Sequence, residues 1–262
     1  MDRFVRPAAV AAVTFLCTLC MAGSLRAAEP GLASAAGPDA GQTWTVALYI
    51  NADNDLEYTW PRFTLPALRR IPPSPHVNVV ALVDKQAADG AFLYRVEGKK
   101  VTTVRHFTKE RDFGTGATFR WFLEQVHRRF PSDRLVVVGW DHGYGWRYFS
   151  RDESSGDHAI TMPGLRAALA GAGVPIDILA FDACNMGDVE VAWDIASVDH
   201  PEDSGRPLVA RLVASEETID QDGYPYDVML SLIHISEPTR LLSISYAVFC
   251  LKKKNVQRAL ER

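Results

Sequence analysis

The stretch IDILAFDACNM, residues 176–186, decides how this chain is read. A short apolar run, 176–181, ends abruptly in an acid, a small residue and a thiol, which is the pattern of a buried strand reaching its polar edge. A second stretch has the same grammar: LVVVGWDHG, residues 135–143, carries an apolar strand at 135–140 into Asp141, His142 and Gly143. Working outward, 44–50 (WTVALYI) and 77–83 (VNVVALV, closed by Asp84) are two further buried strands, and 208–214 is a fifth, ending in Ser215, Glu216 and Glu217.

The segments between these strands are helical or turn-like. Residues 118–130 place Phe119, Phe122, Leu123 and Val126 on one helical face. Residues 162–170 have Pro163 near the start and Gly171 and Gly173 past the end, as a helix would. A third helix is expected over 187–197, with Val189, Ala192, Trp193 and Ala196 as its apolar residues. Residues 61–70 form at best a short helix before Pro72, Pro73 and Pro75. The pair 92–97 and 100–106 reads as a hairpin about Gly98-Lys99, and 148–159 as a polar loop. Buried strands alternating with helices predict an α/β fold, a mostly parallel sheet with helices on both faces. In such sheets ligands bind beyond the carboxyl ends of the strands, near a switch in strand order. Every polar cluster named here sits at such an end.

The chain has 262 residues and a formal net charge of −4, with a pI near 6.0. That balance gives no electrostatic reason to expect nucleic acid or an anionic membrane as a partner. Arg3 and Arg6, an apolar stretch at 8–21 too short to span a bilayer comfortably, and small residues at 22–28 predict a signal peptide over 1–28, cleaved near Ala27 or Ala28. Neither Cys17 nor Cys20 follows a small residue, so no lipid anchor and no stable membrane attachment are expected. An exported protein, periplasmic or extracellular, follows. Residues 29–42, rich in Ala, Gly and Pro, read as a linker.

From Leu230 the sequence changes character. Residues 230–240 resemble the translation of a transposon-type sequencing adapter, 244–253 resemble the flow-cell end of the same adapter, and 241–243 fit an index between them. Residues 230–262 are therefore expected to be a non-native tail. The domain is then 43–229, C-terminally truncated. With Cys17 and Cys20 in the signal peptide and Cys250 in the tail, Cys184 stands alone, and a lone cysteine in an exported protein flags a reactive thiol.

If the two strands 135–140 and 176–181 are neighbours, His142 and Cys184 share one rim of the sheet. Cysteine chemistry needs that pairing: a thiolate to attack a carbonyl, and an imidazole to manage protons for the thiol and the leaving amine. Gly143 has no side chain, so its N–H can approach a developing oxyanion, and with the N–H of Cys184 it forms a candidate oxyanion hole. The bland readings stand beside these: Cys184 as core filler and His142 as a structural strand-end histidine. Trp140, Tyr144 and Trp146 are pocket walls or core. Asp53, Asn54, Asp55 and Glu57 superficially suggest a calcium loop, but the glycine such a loop requires is absent and Tyr58 follows Glu57. Turn and capping duty is the expectation there, with no residue assigned as a metal ligand. Asp53, Asn54, Ser215 and Glu216 are candidate rim residues.

HGYGW at 142–146, FDACNM at 181–186, WTVALYINADNDLE at 44–57 and ASEETIDQDGYPY at 214–226 together resemble the clostripain family of cysteine peptidases, which belongs with the caspase-like α/β/α sandwiches. The resemblance implies an endopeptidase acting on polypeptide substrates through a His–Cys dyad, His142 as acid/base and Cys184 as nucleophile. It implies a preference for Arg or Lys before the scissile bond, met by Asp182, whose competing reading is a cap on the following helix. The chemistry needs no cofactor, although some members of the family depend on Ca²⁺. Some mature by cleavage after the His-Gly strand, where Arg147 and Arg151 are available. Asn185 departs from the apolar residue that members often carry. Two rival readings remain at this level: a binding or scaffold module that retains the crevice, and a non-functional fragment.

Overall fold

β1 (Trp44–Ala52) runs down the middle of a seven-stranded sheet, and its sequence requires that position, because all but its first residue are buried. The computed structural model describes residues 42–86 and 90–231, and these all lie in one compact unit. The expected signal peptide and nearly all of the expected linker and tail lie outside the described residues.

The chain leaves β1 through a π-helical turn (Trp60–Thr64) and α1 (Leu65–Arg69) to the parallel β2 (Val77–Lys85). The hairpin of β3 (Ala91–Glu97) and β4 (Lys100–Phe107) then adds two antiparallel strands at one edge. α2 (Gly116–Arg129) carries the chain back across, and β5 (Arg134–Trp140) pairs with the opposite side of β1. A second hairpin, β6 (Tyr148–Asp152) and β7 (His158–Thr161), occupies the segment that reads as a polar loop, and α3 (Met162–Ala172) follows. β8 (Ile178–Asp182) lies parallel to β5, and α4 (Val189–Ala196) leads into a small hairpin of β9 (Asp199–His200) and β10 (Asp203–Pro207). β11 (Leu212–Val213) closes the far edge, and α5 (Tyr226–Ser231) follows. The order β11-β8-β5-β1-β2-β3-β4 is the expected mostly parallel sheet. It reverses direction of growth at β1, so the switch point lies between β1 and β5.

Alternation along β1 separates two cores. Ala47 and Tyr49 face α2, α3 and α4 together with Phe119, Phe122, Leu123 and Leu165. Val46, Leu48 and Ile50 face the other way, toward Trp60 and Leu68 and toward Tyr226 and Leu230 of α5. Each such fully buried large apolar side chain contributes about 1.5–3 kcal/mol. Tyr49 keeps its hydroxyl inside by donating to the Phe113 carbonyl at 2.9 Å while its ring stacks on Phe113 at 4.6 Å. α2 begins where Thr115 accepts the Thr118 N–H, an N-cap that satisfies one otherwise unbonded donor.

Two expectations need correcting. The fifth strand shrinks to Leu212–Val213, with an isolated bridge from Ile176 to Val209, while Leu208 and Val209 are buried in the core on the α2, α3 and α4 side of the sheet. α4 buries Val191 and Ile195, whereas Val189 and Trp193 are exposed; the apolar residues fit two different helical faces, and packing against α3 selects the other one. Leu230, the first residue of the expected non-native tail, lies in α5 and is buried.

Candidate active site

The rim of the sheet is assembled by register. β5 and β8 pair Trp140 with Asp182, so His142 and Cys184 each lie two residues beyond a matched pair. The match continues past the strands, since the Asp141 N–H donates to the Asp182 carbonyl at 3.4 Å. A β-carbon on Gly143 would lie 2.4 Å from the Cys184 carbonyl oxygen and 2.8 Å from Met186 Cγ. Only glycine lets the two segments approach this closely. Ser150 N–H donates to the His142 carbonyl and Tyr144 N–H to the Tyr148 carbonyl, which makes Gly143 and Phe149 a non-hydrogen-bonded pair. That bridge therefore leaves the Gly143 N–H unused.

The end of β1 supplies the next layer. His142 Nε2 lies 2.7 Å from Asp55 Oδ1, with the imidazole about one-third exposed and the carboxylate mostly exposed. Asn54 Nδ2 donates both to Asp141 Oδ1 at 2.8 Å and to the Arg151 carbonyl at 2.9 Å. Asp141 also accepts the Arg151 N–H, and its burial pushes its carboxyl well above the ordinary range against those bonds. The turn after β1 thus braces the turn after β5. From the sequence, Asp55 has only turn or capping duty and Asp141 marks a strand end with no role of its own. Their signal was available, as acids directly following a buried strand, but nothing local says which partner each meets.

Cys184 is half-buried and is the free cysteine of the described residues. Its sulfur accepts the Ile219 N–H at 3.4 Å and lies 3.9 Å from the Ile219 carbonyl. Asn185 has a left-handed backbone, φ 60°, a conformation asparagine adopts more readily than an apolar residue does. Its N–H donates to the Glu217 carbonyl and its amide to the Glu216 carbonyl, while the Gly187 N–H donates to the Ser215 carbonyl. Residues 215–219 therefore lie along the rim beside the thiol.

Asp182 is buried, and no helix begins at this point for it to cap: α4 starts at Val189. Its Oδ2 accepts the Tyr224 N–H at 3.1 Å and the Tyr226 hydroxyl at 2.6 Å. A β-carbon on Gly223 would lie 2.7 Å from the same oxygen. Burial raises its carboxyl to about 6, against those hydrogen bonds. The native state therefore binds this proton more tightly than the unfolded chain, so the group's penalty is absent near pH 4 and complete above pH 6. Two units correspond to about 3 kcal/mol. Asp182→Asn keeps an acceptor of the same shape, and its stability relative to the wild type is expected to improve by about 1–3 kcal/mol from pH 4 to pH 7 in urea titrations. An unchanged difference across that range would show that the carboxyl is not strained.

Of the two arginines expected for self-cleavage, Arg151 is the less accessible. It sits within β6, both its main-chain groups are bonded, its guanidinium pairs with Asp157 at 2.5 Å, and Asp152 beyond it is fully buried. Arg147 lies exposed in the turn before β6, over the rings of Tyr144 and Trp146. Those two rings are exposed, whereas Trp140 is core. Asp53 does not act as a turn or cap residue alone. It joins Asp84 and Glu110 in a carboxylate group whose oxygens lie within 4.8 Å of one another. Burial, then Glu110, Asp152 and Asp53, push the Asp84 carboxyl up to about 8.

A mostly parallel sheet with a switch point, carrying His-Gly and Ala-Cys turns on adjacent strand ends, defines a caspase-like α/β arrangement with a thiol at its rim. The chain belongs to the clostripain family, whose family description matches residues 48–258, a span that runs past Met229 into the segment resembling an adapter. It is similar to clostripain of Hathewaya histolytica, 23% identical over 230 residues, which are 73% of this chain and 42% of that protein. The chain thus spans about two-fifths of the length of that relative. Among solved structures it resembles a secreted C11 cysteine protease from Bacteroides thetaiotaomicron in complex with an irreversible peptide inhibitor, with a TM-score of 0.61, 23% identity, and coverage of 72% of this chain and 53% of that one. An inactive zymogen C11 protease from Parabacteroides distasonis gives a TM-score of 0.59 at 22% identity, covering 73% of this chain and 54% of that one. These likenesses show the fold.

Proposed function

We propose that the protein is an exported cysteine endopeptidase that cuts polypeptides after Arg or Lys, with Cys184 as nucleophile and His142 as acid/base. The observation that carries this reading is the register of β5 and β8, which sets both residues two positions past Trp140 and Asp182 on one rim. Asp55 as a carboxylate only accepts hydrogen bonds, so His142 Nε2 carries the proton toward it and Nδ1 is the nitrogen left for proton exchange. Asp55 is then a positioning residue.

The thiol proton passes to His142 as the sulfur bonds to the scissile carbonyl carbon. Negative charge develops on the carbonyl oxygen, for which the N–H groups of Gly143 and Cys184 are the donors. Collapse breaks the C–N bond, and the imidazolium gives its proton to the leaving amine. Water then attacks the thioester, with the same imidazole taking its proton and returning it to sulfur. The cation before the scissile bond is met by Asp182. A buried carboxyl held up at about 6 gains more from a guanidinium than a solvated one would. Tyr224 and Tyr226 both bond Oδ2, so the guanidinium is expected at Oδ1.

An arginyl electrophilic probe tests the reading on the full chain under reducing conditions. Labelling is expected on Cys184, lost in Cys184→Ala, and weakened in Asp182→Asn for the arginyl probe but not for a norleucyl one. Absence of labelling in a folded sample would leave the crevice as a binding module.

A further inference from the structure

We infer that Tyr144, Trp146 and the exposed face of α4 form a subsite for an aromatic or large apolar residue directly after the scissile bond. This rests on the peptidase reading of the same rim and extends it to the leaving half of the substrate. Among the described residues seven large hydrophobic side chains are exposed, and four of them fall in two segments that touch: Tyr144 at 55% and Trp146 at 57%, Val189 at 76% and Trp193 at 73%. Such clustering distinguishes a binding patch from apolar residues scattered singly over a surface. Tryptophan and tyrosine are also the side chains that most often anchor a polypeptide partner.

The contact between the two segments is fixed by the backbone. Gly145 is buried with φ 57°, and a β-carbon there would lie 2.2 Å from Asp188 Oδ2 and 3.5 Å from the Asn185 carbonyl oxygen. The turn carrying Trp146 therefore abuts the segment that joins Cys184 to α4. Val189 follows Asp188 at once, and Trp193 lies one turn further along the same helical face. The aromatic turn is itself held in place. Tyr144 N–H donates to the Tyr148 carbonyl and Arg147 N–H to the Tyr144 carbonyl, while the Tyr144 and Tyr148 rings stack at 5.7 Å. The Arg147 guanidinium lies 5.3 Å over the Tyr144 ring and 5.3 Å over the Trp146 ring. A side chain kept exposed by an ordered turn loses little freedom when it takes up a ligand, so the exposure of Trp146 favours binding.

The place of the patch relative to the nucleophile selects its occupant. Residues 184–188 follow β8, with 215–217 beyond β11 on one flank and the turn after β5 on the other. The basic residue before the scissile bond goes toward Asp182, which Tyr224 and Tyr226 hold. With that side chain at Asp182 and the carbonyl oxygen at the Gly143 N–H, the chain after the bond leaves across the other flank, over Tyr144 and Trp146. Trp146 is three residues past Gly143, a span of at most about 10 Å, and an extended substrate advances about 3.3 Å per residue, so the indole is within reach of the start of the leaving half. A large apolar side chain there buries area against the patch, and glycine offers none.

The test compares peptides identical except after the scissile arginine, Arg-Phe against Arg-Gly. In the full wild-type chain kcat/KM is expected to favour phenylalanine about 10–100-fold, and the ratio to fall to about threefold or less in Trp146→Ala and partway in Val189→Ser. A ratio cancels any general loss of activity, and both side chains are exposed enough for substitution to spare the fold. Val104→Ser, at an exposed residue of β4 on the far edge of the sheet, is the control and is expected to leave the ratio unaltered. No preference for phenylalanine, a preference that survives Trp146→Ala, or an equal fall in Val104→Ser overturns the subsite. Dimerisation that is lost in Trp146→Ala, without any such preference, assigns the patch to a second copy and overturns it as well. Calorimetry of the same peptides on the full chain as Cys184→Ala separates this from the peptidase reading. Trp146-dependent binding of the Arg-Phe peptide alongside failed Cys184 labelling in the wild type sinks only the peptidase reading; labelling without a phenylalanine preference sinks only the subsite.

Discussion

Cys184→Ala is expected to lower kcat for an arginyl peptide substrate by about 10⁴–10⁶-fold, and His142→Ala to cost nearly as much. The two residues act as one unit, since the sulfur has no strong nucleophilicity until the imidazole takes its proton. The double variant is therefore expected to be no worse than Cys184→Ala alone, because the crevice and the oxyanion donors remain. Losses that multiply in the double variant would mean that His142 works separately from Cys184. Folding is not at issue in this comparison: Cys184 is half-buried and His142 is about one-third exposed. Both circular dichroism and Tm should stay close to those of the wild type.

Gly143→Ala carries the second largest effect, for a steric reason. The added carbon would sit 2.4 Å from the Cys184 carbonyl oxygen and 2.8 Å from Met186 Cγ. The thioether can shift, but the carbonyl belongs to the backbone that holds the nucleophile, so the two turns must part. A few tenths of an ångström misplace both oxyanion donors at once, and kcat is expected to fall by about 10²–10³-fold. Stability is expected to drop by about 1–3 kcal/mol from overpacking. The control is Gly173→Ala: Gly173 ends α3 with φ 59° and has nothing within 4 Å of an added carbon. That change is expected to cost about 1–2 kcal/mol of backbone strain and to leave kcat unaltered. Equal kcat losses at both glycines would trace the effect to general destabilisation and remove the argument from close approach.

Much of the fold is legible locally because its strands are nearly uniform in character. WTVALYI and LVVVGW have no polar face to offer water, so each must be covered on both sides, and a parallel sheet follows. The weak signals failed where two periodicities compete. In α4, Val189 and Trp193 mark one helical face and Val191 and Ile195 another, and only contact with α3 chooses the second. The β6–β7 hairpin carries many polar residues because it lies outside the main sheet, so alternation is blurred, although Phe149 and Ile160 enter the core.

The site divides along the same line. His142, Gly143 and Cys184 are legible because strand-end chemistry is a local property: an apolar run stops and a reactive group follows at once. Asp182 was legible as an acid at the right place, but not as a carboxylate held by Tyr224 and Tyr226, some forty residues later in the chain. The sequence of this protein by itself determines which residues stand at the strand ends, since burial and periodicity are written into consecutive residues. Only the tertiary structure decides which ends meet: β5 enters beside β1 after the chain has travelled out to β4, and that order brings Asp55 to His142 and Asp53 to Asp84. The contacts join residues about 87 and 31 positions apart, a separation beyond the reach of any local pattern and fixed by hydrogen-bonded register across the sheet.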